Sequence, residues 1–130
     1  MTMARKSMLG VAMVMASLLA VAAGLMTSSV AIADDTTCDG TKKNPCPLQK
    51  WMIANMGPAL AGGDNAALAK SLDKIAASSP DASWAWAQTA KKGADAARAG
   101  NIADVKAACK TCHDAHKESY RQKFQRRSFN

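Results

Sequence analysis

Five consecutive residues, Cys109-Lys110-Thr111-Cys112-His113, carry the most specific chemistry in this chain. Residues three apart share one face of a helix, so both thiols can meet the same edge of a flat ligand. C-x-x-C-H is the attachment signature of c-type haem, whose two vinyl groups take the thiols as thioethers. His113 follows at once, and its neutral imidazole can bind iron through Nε2 while the proton on the other nitrogen fixes the tautomer. One covalent haem c is therefore the cofactor expected.

Three other chemistries compete for the same residues. A redox-active C-x-x-C usually opens a helix that follows a strand, whereas here it lies well inside a helical pattern in a chain with no strand signal. A zinc site built from Cys109, Cys112, His113 and His116 would crowd four ligands onto one helix, which cannot surround an ion tetrahedrally. A bridge between Cys109 and Cys112 would be strained by helical geometry. The remaining cysteines, Cys38 and Cys46, enclose seven residues including Gly40 and Pro45, and are predicted to form a structural disulfide.

The sixth iron position needs a donor from elsewhere. After His113 the chain has 17 residues and no methionine, and His116 shares a helix with His113 and cannot reach the opposite haem face. Only Met52 and Met56 follow the apolar N-terminal run, and both precede the motif. This order excludes the common cytochrome c plan, in which a methionine ligand lies far downstream. Either methionine can be the distal ligand, or both can be gap-filling core residues.

Four helical segments must position these groups, so the chain reads as all-α. The first starts near Pro47 and runs through Leu48, Trp51, Met52 and Met56 to Gly57-Pro58, which kinks or ends it. A second follows a cap at Asp64 or Asn65, with Leu68, Leu72 and Ile75 on one face, and closes at Ser78-Ser79-Pro80-Asp81. A third, from about Ser83 to Ala99, brings Trp84 and Trp86 and then an alanine face, with Gly100 as its stop. Asn101 caps a fourth, in which Ile102, Val105, Cys109, Cys112, His116 and Tyr120 form a stripe continued by Phe124. The basic end beyond Phe124 is expected to fray.

The chain of 130 residues holds one small domain at most. Residues 1–33 read as an export signal: Arg5 and Lys6 precede an apolar run from Met8 to Met26, and Ala31-Ile32-Ala33 offers a small-x-small cleavage site. The competing reading is a retained membrane anchor, since the run is long enough to span. Cleavage after Ala33 leaves 97 residues without a membrane segment, in a periplasmic setting where disulfides persist. Residues 34–46 then form a disulfide-closed segment, 47–126 the helical haem domain and 127–130 a short tail. Large apolar side chains are few in this part, and a domain so small needs a staple or cofactor to complete its core.

The string from Asn101 to Lys117 resembles the last helix of class II cytochromes c, the cytochrome c′ and cytochrome c-556 group. Gln49 to Gly57 is similar to the first helix of that family, whose six-coordinate members carry a methionine a few residues before a glycine. The resemblance implies a small antiparallel four-helix bundle around one covalently attached haem. Met52 matches the ligand position best and Met56 is second. Lys117 matches a basic residue beside the proximal histidine. Three departures stand out: only eight residues separate Gly100 from Cys109, Gly57-Pro58 cuts the first helix short, and His116 stands where an aromatic residue is common.

One-electron transfer without catalysis is the activity expected, with His113 and a methionine as axial ligands. The alternative is a five-coordinate binder of diatomic gases such as NO and CO. Trp51, Trp84, Trp86 and Met56 are candidates for core or haem contact. The whole chain carries +7, and without Arg5 and Lys6 the basic count falls from 17 to 15 against 10 acidic residues, a net +5. Lys110, Lys117, Arg121, Lys123, Arg126 and Arg127 gather on or after the haem helix, which suits acidic redox protein partners. Nucleic acid is not an expected partner, because no stacking platform accompanies the charge. A monomer or weak homodimer is expected.

Overall fold

Four α-helices and no strand make up the residues described by the computed structural model, Thr36–Asn130. The export signal and its cleavage after Ala33 lie outside the described residues. Helix α1 spans Pro47–Gly62, α2 Asn65–Ala77, α3 Trp86–Arg98 and α4 Ile102–Lys123. None of these is long and apolar enough to cross a membrane.

Helix α1 runs past Gly57-Pro58 rather than stopping there. Pro58 cannot donate to the carbonyl of Ala54, but Ala54 and Pro58 both lie on the exposed side, where solvent can take that carbonyl. The helix ends at Gly63, whose φ of 68° is the left-handed geometry that glycine adopts without steric cost. Asp64 then caps α2, accepting from the Ala67 amide at 2.9 Å.

Helix α3 begins three residues later than its pattern predicts. Asp81 accepts from the amide and hydroxyl of Ser83 at 2.9 and 2.7 Å, and the Trp84 amide donates to the Asp81 carbonyl at 3.2 Å. That local turn competes with helix for the same backbone and wins. The Ser83 bonds also hold the Asp81 carboxyl below its ordinary range. Helix α4 starts at the expected cap, with Asn101 accepting from the Asp104 amide at 3.2 Å.

The C-terminal tail does not fray as its composition suggests. A turn follows Phe124, and Phe129 packs against Trp51 with ring centroids 4.9 Å apart. The Lys74 ammonium sits 5.6 Å from both rings. Apolar contact on α1 outweighs the solubility of the basic residues between.

Packing is uneven around the four helices. Helix α2 lies close along α3, and α3 along α4; α1 approaches α2 alone, so no backbone contact joins α1 to α4. Small residues draw α2, α3 and α4 together. A Cβ added at Gly93 would stand 3.2 Å from that of Ala108 and 3.3 Å from Leu72 Cδ1, so α3 cannot carry a side chain there without displacing both neighbours. Leu68 and Val105, each 1% exposed, fill the centre with Leu72, Ala94 and Ala97. Leu48, near the start of α1, borders the same surface groove as Tyr120 and Phe129, whereas Ala59, near its end, clusters with Val105.

Cys38 and Cys46 are bonded as predicted, closing a loop that precedes α1. A C38S/C46S variant is expected to lose about 2.5 kcal/mol of stability, because the bridge restricts a nine-residue stretch of the unfolded chain. Urea unfolding of the variant beside the parent checks it.

Candidate haem-attachment site

The side left open between α1 and α4 is a cavity of about 640 Å³, within the span of roughly 300–1,000 Å³ usual for small-molecule and cofactor sites. Helix α4 contributes Val105, Cys109, Cys112 and His113 to one wall. Helix α1 contributes Met52, Met56 and Leu60, which recur every four residues and so share a face. Leu68, Leu72, Trp86 and Ala90 close the back from α2 and α3.

Cys109 and Cys112 are unbridged and half-buried. Burial pushes both thiols above their ordinary pKa, and for Cys112 the neighbouring Cys109 pushes in the same direction. A redox-active cysteine needs the opposite, a stabilised thiolate. Among the described residues no three His, Cys, Asp or Glu side chains converge on a common point. His113 lines the cavity but is itself exposed, standing at its mouth.

His116 turns away from the cavity. Its ring stacks on Trp84, with centroids 5.0 Å apart and planes within 5°, and its buried Nε2 has no hydrogen-bond partner. It takes a place that an aromatic ring would fill. Trp86 lines the cavity and donates from its indole N–H to the Ile75 carbonyl at 2.7 Å.

Of the other predicted neighbours of the cofactor, Met52, Met56 and Lys117 border the cavity and Trp51 and Trp84 do not. Trp51 is rotated from Met52 by one residue and serves the contact with Phe129 instead. Trp84 is held in the turn before α3, against His116 and Phe124. The sequence reading missed Gln49, Lys106 and Gln125 as lining residues, and Arg121 appeared only as surface charge. The spacing 106, 109, 113, 117, 121 along one helix face was the signal that could have found two of them.

Every lysine, arginine, aspartate or glutamate lining the cavity is a cation: Lys106, Lys117 and Arg121. An apolar slot with two thiols and an imidazole on one wall, two thioethers opposite and a cationic rim suits a flat, largely apolar, anionic cofactor. Haem c has that character, and the donor set present fits it. Compared with known protein families, curated proteins and solved structures, the chain matches none; its chemistry is read from its own residues.

Proposed function

We propose that the protein is an exported, periplasmic c-type cytochrome of the class II kind, an antiparallel four-helix bundle that passes single electrons through one haem c. Cys109 and Cys112 hold the haem, His113 binds its iron, and Met52 caps the other face. The observation that carries this reading is the convergence of both thiols, the imidazole and both methionines on a single cavity. When bound, the haem supplies an iron that gains or loses one electron, at a potential raised by Met/His ligation.

The chain's own residues supply the rest. Leu68, Leu72, Trp86 and Val105 keep water from the back of the slot. Cys109 and Cys112 would hold the ring to α4, and Met52 or Met56, which line the same cavity from α1, would supply the thioether. Lys110, Lys117 and Arg121, all exposed on α4, draw acidic redox proteins toward the edge nearest the cofactor, an attraction that weakens with salt.

The missing backbone contact between α1 and α4 favours a second reading. An α1 without backbone contact to α4 would leave room on the distal face for a diatomic gas, with five-coordinate iron and methionines that only fill space. Visible spectra of the purified mature protein, oxidised and reduced, with and without carbon monoxide, separate the two, and denatured mass tests covalent haem. A low-spin spectrum indifferent to carbon monoxide is expected. A high-spin ferrous form that binds it would establish the gas binder, and a mass without haem would return the motif to thiol chemistry.

A further inference from the structure

The cations around the cavity do not stand in equivalent settings. At 1.5 Å of rise per residue, Lys106 lies about 10 Å before His113 along α4 and Arg121 about 12 Å beyond it. Lys106 follows Val105, which is buried in an apolar cluster with Leu68 and Ala59. Gln125 lies four residues beyond Arg121, and Leu48 and Tyr120, which border a common groove, put the start of α1 with Gln49 at the same end, while Gly40 and Cys46 of the disulfide loop also line the cavity. One contact among these groups is direct. A Cβ built on Gly40 would lie 3.0 Å from Gln125 Oε1, so the loop backbone rests on that amide, and Gly40 has a φ of 76° that favours glycine.

Arg121 is available to a ligand. Its one ion pair among the described residues is a long approach of 3.9 Å to Glu118, between side chains that are both more than half exposed. Such a contact is worth little and is readily exchanged for a better-placed carboxylate.

An occupant tethered through its vinyl edge at Cys109 and Cys112 has its two carboxylates on the opposite edge. An end that supplies both charge and hydrogen bonds suits them best. We infer that the carboxylates sit at the Arg121 end, paired with the Arg121 guanidinium, bonded by the side-chain amides of Gln49 and Gln125, and covered by the Cys38–Cys46 loop. This rests on the haem reading above. It gives the disulfide loop a role beyond stability, as the cover over the cofactor's ionised edge.

The test compares the holo forms of the parent, R121Q and K106Q, each first shown by mass to carry one haem, by measuring reduction potential against pH. Arg121 is more than half exposed, so R121Q is expected to fold. Loss of a paired cation raises a carboxylate pKa, so the acid-side transition in R121Q should move up by about one pH unit or more. K106Q should leave that transition where the parent has it. An R121Q transition unchanged from the parent, or a shift in K106Q instead, overturns the inference while leaving the cytochrome reading intact. A parent chain without haem by mass overturns both.

Discussion

Preventing haem attachment, by C112A or by expressing the chain without the cofactor, is expected to leave a protein of low helicity with no cooperative unfolding transition. H113A is expected to move in the same direction by removing the proposed iron ligand. The reasoning is volumetric. Without the cofactor about 640 Å³ beside an apolar back wall is left to water. Water entering the open side cannot restore packing for that wall. Domains of this size have only about 5–15 kcal/mol of stability in all. The alanine-rich seams among α2, α3 and α4 offer little reserve, because each buried methyl contributes far less than a leucine side chain. Far-UV circular dichroism with a thermal melt reads the outcome. A fully helical haem-free chain with a sharp melt would show that the polypeptide completes its own core.

Met52→Ala is expected to convert a low-spin spectrum to high spin, and Met56→Ala to leave it low spin. Both side chains border the cavity, so lining alone does not choose between them. Axial level does. Leu48 shares a groove with Tyr120, and Ala59 shares a cluster with Val105. Counting about 1.5 Å per residue from either pairing sets Met52 level with residues 112–116 of α4 and Met56 level with 108–112. His113 falls in the first interval and outside the second. The reverse spectroscopic result would move the ligand one turn along α1, and unchanged spectra in both single variants would mean that either methionine can serve.

The helices were largely legible because caps and stripes are local. Asp64 and Asn101 announce α2 and α4 through their own side chains, and both caps form as read. The errors arose where a local signal met a competing one. Pro58 reads as a stop, yet on the exposed side of α1 its missing donor does little harm. Ser83 reads as a helix start, yet its bonds to Asp81 hold a turn for two more residues. The tail reads as solvent-bound until Trp51, more than seventy positions away, gives Phe129 a partner. Cys109, Cys112 and His113 were readable as a group because their spacing is contiguous, and all three line one cavity. The polar end of the cavity was not, since Gly40, Gln49 and Gln125 come together only through the fold.

Backbone contact ties α1 to α2 alone, and its hold on the other helices is through side chains such as Leu48 and Ala59. On the cytochrome reading this bears on biogenesis, because the thiols of Cys109 and Cys112 face the side that α1 leaves open, where a porphyrin can reach them once α2, α3 and α4 have packed. The segment nearest the C-terminus would then be loaded while the first helix is the element most easily displaced.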